Sequence, residues 1–359
     1  MFGLPLLAPL TRRALGDEAG REPSEDRERR RAAIARGCAF IASKQHGNQG
    51  GGFGDNDGIV AITALSVLAL MTEGSTDGRG RYGTQVREGI NFLLKLVEAP
   101  HHGGTYPEGY FYHPQDPSSR MHGQGYATLA LATALGTSTD RRDRRIRDVV
   151  TKAVHCIEQA QTATGGFGYE PAPGQDHEGS VTVTVAQGLR AARDAGITVN
   201  EGVVRKGLYY LKRSQNPDGS FRYSAHTDRS SYALTAAALS SFFLFGRYTD
   251  DPERTMQRGL GFMMEKVEGP LRDLRWYYYG NFYAAWTCWQ KDGGNWSPAD
   301  GGYWARWQRI MIPDVMDRQS TAGSWYDEQD QFDFGPLVPT TFAVLTLAIP
   351  DEIIPIFQR

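Results

Sequence analysis

The residues best suited to chemistry lie in one aromatic run, Trp276-Tyr277-Tyr278-Tyr279-Gly280-Asn281-Phe282-Tyr283-Ala284-Ala285-Trp286-Thr287-Cys288-Trp289. On a helix, Trp276, Tyr279, Tyr283 and Trp286 share one face at steps of 3, 4 and 3, and Tyr278, Phe282 and Trp289 share the adjoining one. Aromatic faces stabilise cations and stack on flat apolar ligands. The same rings serve equally well as filling for a narrow core. All seven tryptophans fall between 276 and 325, so this part of the chain is unlike the rest. Metal chemistry has less to work with. Cys38, Cys156 and Cys288 form no CxxC pair, and His113, His122, His177 and His226 are scattered along the chain. The cysteines read as buried thiols, and neither a resident metal nor a cofactor is expected.

The bulk composition narrows the class. The 359 residues carry a formal net charge of −2, which provides no basic field for nucleic acid. Three cysteines give no disulfide framework and fit a reducing, cytoplasmic setting. The longest apolar run, 59–71, is short of the roughly 20 residues of a membrane span. The start, Met1 to Leu10, is apolar but has two prolines and no basic residues, so it makes a poor signal peptide. A weak peripheral membrane contact is the most it suggests. Residues 11–31 are dense in Arg, Glu and Asp and read as a solvated lead-in.

The elements that position the aromatic run emerge from a repeat. Helix-like runs recur through Gly37, Gly89, Ala153, Gly207 and Gly259, at intervals of roughly fifty residues. Most end in a glutamine, then a glycine-aromatic step, then a run rich in Ala, Thr, Ser and Leu. Gln45 leads to Gly52-Phe53, Gln161 to Gly166-Phe167, Gln215 to Gly219-Ser220-Phe221, and Gln319 to Gly323-Ser324-Trp325. The second unit is read with its turn at Gly103-Gly104-Thr105-Tyr106, and the fifth as having lost its glycine. Within each unit the first helix is amphipathic and the second apolar nearly all round. Two-helix units of this kind stack, with one helix wet and one buried. Six of them predict an all-α (α/α)6 toroid of six helical hairpins around a central cavity. Residues 32–349 form the single toroid, 1–31 an unstructured tail, and 350–359 a C-terminal tail.

In this frame the glutamine ends the outer helix, where last-turn carbonyls lack partners, and its amide donates to one of them or to the next unit. The glycine permits a sharp turn, and the aromatic fills the junction between units. Tyr126 and Tyr232, near the starts of the second and fourth inner helices, are placed toward the cavity with the aromatic run. His122 and Gln124 are placed at its rim.

The Gln…Gly-aromatic steps, clearest at Gln161, Gln215 and Gln319, resemble the QW motifs of the prenyltransferase and squalene-cyclase repeat superfamily. The resemblance covers about residues 32–349. It implies an α/α toroid, isoprenoid substrates and, in cyclases, an Asp-x-Asp-Asp run whose central acid protonates the substrate. That full run is absent here. Its nearest counterparts are Asp176-His177-Glu178-Gly179-Ser180-Val181 and Asp55-Asn56-Asp57-Gly58-Ile59-Val60. Glu178, Asp176 and Asp57 are therefore the candidate acids, although carboxylates before a helix also act simply as caps and dipole partners. The zinc triad of the protein prenyltransferases has no counterpart, since no Asp-x-Cys precedes Cys288. The substrate-binding candidates are Tyr126, Tyr232, Trp276, Tyr279, Phe282, Tyr283, Trp286 and His122, with an apolar isoprenoid as ligand. Two other readings stay open: a carbohydrate-active (α/α)6 barrel, and a non-catalytic scaffold that binds a protein.

Overall fold

The computed structural model describes residues 22–46, 50–54, 58–98, 106–174, 177–224, 226–245, 252–271, 274–294, 296, 301–327 and 335–358. The outer helices are α1 (Ser24–Ser43), α3 (Gly83–Glu98), α5 (Asp140–Ala160), α7 (Glu201–Arg213), α9 (Pro252–Val267) and α11 (Tyr303–Asp317). The inner helices are α2 (Ile59–Met71), α4 (Arg120–Ala134), α6 (Gly179–Asp194), α8 (Tyr232–Phe245), α10 (Tyr277–Asp292) and α12 (Leu337–Ala348). Each inner helix packs against the next, and α12 returns to α2, so the inner layer is a closed ring. Each outer helix from α3 to α11 packs on the inner helix before it in sequence, and α1 packs on α12. The chain is an (α/α)6 toroid.

Residue patterning assigns the layers. In α2 every residue but Ala61 is buried, because the helix is covered on both sides. In α7, Val203, Val204, Gly207, Leu208, Tyr210 and Leu211 are buried, while Arg205, Lys206 and Arg213 face water. Fully burying one such aliphatic side chain contributes about 1.5–3 kcal/mol. The tightest inner contact, α4 on α6, depends on two glycines. A methyl on Gly125 would meet the Thr184 backbone at 2.6 Å, and one on Gly188 would meet the Gly125 carbonyl at 2.7 Å.

The turn between helices is built alike in four units. The Nε2 of Gln45, Gln161, Gln215 and Gln319 donates to the carbonyls of Gly51, Gly165, Gly219 and Gly323. It also donates to a carbonyl of the neighbouring outer helix, at Gln85, Val203, Thr255 and Ala33 respectively. The backbone N–H of the aromatic donates to an inner-helix threonine: Phe53 to Thr63, Phe167 to Thr182, Phe221 to Thr235, and Trp325 to Thr340.

The second unit differs from its expected register. Gly103, Gly104 and Thr105 lie outside the described residues, and the staple glycine is Gly109. Its glutamine has moved to the inner helix. Gln124 Nε2 donates to the Gly109 and Ala153 carbonyls, and its Oε1 accepts from Phe111 N, so one side chain does the work of both glutamine and threonine. Gln124 is thus fully buried in the staple rather than at a cavity rim.

The charged lead-in also differs from expectation. Its end, from Ser24, forms the first turns of α1, and Arg30 there is 1% exposed. Its guanidinium binds Glu22, Asp351 and the Leu347 carbonyl, which makes burial of the charge tolerable and ties α1 to the C-terminal segment. That segment is not a free tail either, since Ile354, Ile356 and Phe357 are buried. Among the described residues no helix is long and apolar enough to cross a membrane.

Candidate ligand-binding site at the mouth of the inner ring

The inner helices set the geometry. Tyr126 on α4 and Tyr283 on α10 come from opposite sides of the ring, and their hydroxyls meet at 3.3 Å. The Tyr283 hydroxyl donates to Gln187 Oε1 on α6 at 2.9 Å, which leaves its oxygen to accept from Tyr126. These three buried side chains form a floor across the ring. Tyr126 lies six residues into α4, so the floor sits about 9 Å below the helix start at 1.5 Å per residue. Below it, Phe282 and Trp286 pack on Phe357 of the C-terminal segment, at ring separations of 6.1 and 6.4 Å. Phe342 of α12 closes the side against Tyr126, Tyr279 and Phe282.

Above the floor stands a polar pair. Glu178 caps α6, its Oε1 accepting from Val181 N at 2.8 Å and from the Ser180 hydroxyl at 2.5 Å. His122 Nε2 lies 3.4 Å from the same oxygen, and its Nδ1 is 3.1 Å from the Thr184 hydroxyl. Glu178 Oε2 is buried with no hydrogen-bond partner among the described residues. Burial alone would raise the Glu178 pKa, but the hydrogen bonds from His122, Ser180 and Val181 outweigh it and hold the carboxyl below the ordinary glutamate range. The group is therefore a carboxylate at neutral pH, which removes it as a ready proton donor.

Two loop tyrosines complete the mouth. Tyr169 and Tyr223 each follow a staple aromatic by two residues, and their hydroxyls hydrogen-bond at 2.5 Å. Each also fixes the start of the preceding unit's inner helix: the Tyr169 carbonyl accepts from Met121 N, and that of Tyr223 from Gly179 N. The Tyr169 ring lies 5.9 Å from that of His122. Burial, then the Glu178 charge, push both tyrosines' pKa values up, so both stay neutral. Tyr279 stands over Tyr283 at 4.8 Å between ring centres. Its hydroxyl approaches Tyr283 without reaching hydrogen-bond geometry and has no partner among the described residues.

The fold thus brings together Glu178, His122, Tyr126, Tyr279 and Tyr283. Phe282 and Trp286 are beneath the floor. Trp276 is half-buried at the N-cap of α10 with φ 57°. Tyr232 does not join them: its hydroxyl donates to Asn281 at 2.7 Å and lies 3.3 Å from Trp307 Nε1 of α11, so it points into the outer layer. Asp176 and Asp57 lie outside the described residues. The start of α2 is held by Asp116, whose carboxylate accepts from Gly58 and Val60 N. Among the histidines, His177 and His226 approach each other at 5.1 Å, with His177 bonded to Tyr210. Among the described residues no three His, Cys, Asp or Glu side chains are grouped to hold a metal.

The sequence reading missed Ser180, Thr184 and Gln187. They recur at steps of four and three on a mostly apolar helix, which is the signal of a polar stripe facing the ring axis. It also missed Tyr169 and Tyr223, marked only by their shared distance from the staple aromatic.

No protein-family model matches the sequence, and the search of curated proteins gives no match. Solved structures do match. The type II terpene cyclase MstE of Scytonema, bound to its product merosterolic acid A, superposes with a TM-score of 0.58 at 15% identity over 92% of this chain and 99% of the cyclase. A D-mannose isomerase gives 0.62 at 12% identity, covering 91% and 99%. An α-1,6-mannanase of Salegentibacter, complexed with α-1,6-mannotetrose, gives 0.59 at 10% identity, covering 88% and 97%. At these identities the likeness shows the fold. The helical toroid is common to all three.

Removing the Glu178 side chain has a calculable effect. Glu178→Ala loses an N-cap and the His122 contact and is expected to cost about 1–2 kcal/mol at pH 7 by urea unfolding. Because the folded pKa is depressed, this contribution is present above the ordinary glutamate value of about 4.3 and is lost as pH falls through the lower folded value. The gap between the two proteins should therefore narrow toward strong acid. A gap that is constant with pH would show that the carboxylate charge contributes nothing.

Proposed function

We propose that the ring mouth binds an isoprenoid-type small molecule in a terpene-cyclase-like manner. One observation carries the reading: a buried Glu178, capping an inner helix and hydrogen-bonded by Ser180 and Val181, lies close enough to Tyr169, Tyr223 and Tyr279 for its charge to act on all three. Aromatic faces and a carboxylate together favour positive charge on an otherwise apolar ligand. The likeness to a cyclase whose structures hold its isoprenoid substrate, geranylgeranyl dihydroxybenzoate, supports the ligand class. In this reading Glu178 is a counter-charge and positions His122; it does not start a reaction by donating a proton.

A second reading has its own support. The floor is made of hydroxyls and an amide, Tyr126, Tyr283 and Gln187, which suits a sugar, and two of the matching toroids are carbohydrate-active. Native mass spectrometry of the purified protein, before and after organic extraction, separates the two. Retained or rebound isoprenoid mass is the expected result. Binding of mannose or mannotetraose with no isoprenoid binding overturns the first reading in favour of the second.

A further inference from the structure

At the floor and on the ring that stands over it, two polar atoms have no partner among the described residues. Gln187 uses its Oε1 on Tyr283, while its Nε2 is buried without a partner among the described residues. The Tyr279 hydroxyl is likewise buried and has no partner of hydrogen-bond geometry among the described residues. Both flank Tyr283, one bonded to its hydroxyl and the other edge-on to its ring. Buried polar groups are nearly always satisfied, and leaving one unmade costs more than an average hydrogen bond gains. A staple glutamine such as Gln161 makes both of its amide donations, so Gln187 stands out within its own chain.

The chemistry of the missing partner follows from these two atoms. The Gln187 Nε2 can only donate, so the partner must accept. The phenol of Tyr279 can give or take a hydrogen. The floor tyrosines are neutral, since burial raises the pKa of Tyr126 to about 12 and that of Tyr283 well above 10. The formal charge that acts on Tyr279 is the Glu178 carboxylate, which repels an anion. Arg120 is at the rim, over Tyr169 and paired with Glu170.

We propose that the ring floor is a subsite for one neutral hydroxyl group, whose oxygen accepts from Gln187 Nε2 and whose hydrogen is accepted by the Tyr279 oxygen. Resting on the isoprenoid reading above, this makes the ligand a prenyl alcohol rather than a prenyl diphosphate or a hydrocarbon.

Trp286 below the floor provides a fluorescence signal for binding. Farnesol, farnesyl diphosphate, farnesene and mannose are titrated into the full chain, its Tyr279→Phe variant and its Gln187→Leu variant. Farnesol is expected to bind about tenfold or more tighter than farnesene and the diphosphate. Both variants should lose that preference and keep their affinity for farnesene. Tyr279→Phe deletes an unpaired buried hydroxyl, so its melting temperature should hold or rise, whereas a merely structural hydroxyl would lower it. It also remains informative if Gln187→Leu, which strips Tyr283 of its acceptor, fails to fold. Equal binding of farnesol and farnesene, or an unchanged preference in the Tyr279→Phe variant, overturns the hydroxyl subsite while leaving the isoprenoid reading in place. Mannose binding that depends on Tyr279, without farnesol binding, keeps the subsite and overturns the isoprenoid reading. No binding of any of the four overturns both.

Discussion

Gly109→Ala is expected to destabilise the protein by about 3–5 kcal/mol. Gly109 has φ +87°, a region that costs an L-residue about 1–2 kcal/mol. The added Cβ would stand 2.1 Å from the Lys152 carbonyl oxygen and 2.3 Å from its carbon. Both are backbone atoms inside α5 and cannot rotate away. Moving α5 outward would stretch the Gln124 bonds to Gly109 and Ala153 at the same time. Gly136→Ala provides the control: its φ is +81°, but nothing lies within 4 Å of the new methyl, so only the backbone strain should appear. Urea midpoints with an unchanged m-value read both. A loss at Gly109 no larger than at Gly136 would mean that Gly109 is not the staple glycine of the second unit.

Arg30→Met should cost about 3–5 kcal/mol, because it takes the guanidinium from the buried Glu22 carboxylate and leaves Asp351 with only the exposed Arg31. The side chains of Glu22 and Asp351 are 6% and 10% exposed. Without the guanidinium both carboxylates have little water to screen them, and the Leu347 carbonyl loses its donor. The variant Arg30→Met with Glu22→Gln and Asp351→Asn removes the stranded charge and should recover more than half of the loss. If the triple variant is no more stable than the single one, the cost lies in packing of the arginine stem instead. A loss under about 1 kcal/mol in the single variant would mean that this clamp does not hold α1 in place.

The toroid was legible because its staple is made of side chains bonding to backbone. A turn that needs a glutamine amide, a left-handed glycine and an aromatic plug must repeat those residue types, and four units do. The second unit misled for a physical reason. Gln124 supplies the amide from the inner helix, so no glutamine marks the end of α3, and Gly103-Gly104 offered a closer match in spacing than Gly109. Glu178, His122, Tyr126, Tyr279 and Tyr283 were readable from their positions near helix starts and on one helical face. Tyr232, the first residue of α8, is instead engaged by Asn281 and by Trp307 of the outer layer, partners that no local pattern predicts. Tyr169 and Tyr223 reach the mouth from loops, where neither helical nor strand periodicity applies.

The closed ring has a kinetic consequence. Gln45, Gln161 and Gln215 reach forward 40, 42 and 40 residues to their outer-helix carbonyls, whereas Gln319 reaches back 286 residues to Ala33. Five junctions can zip between chain neighbours at small entropic expense, but the sixth must gather the two far ends of an almost assembled arc. That last docking is expected to be the slow step, with its contacts forming after the ends have met. Weakening the Arg30 clamp should therefore accelerate the breaking of the circle and leave the rate of its making nearly untouched.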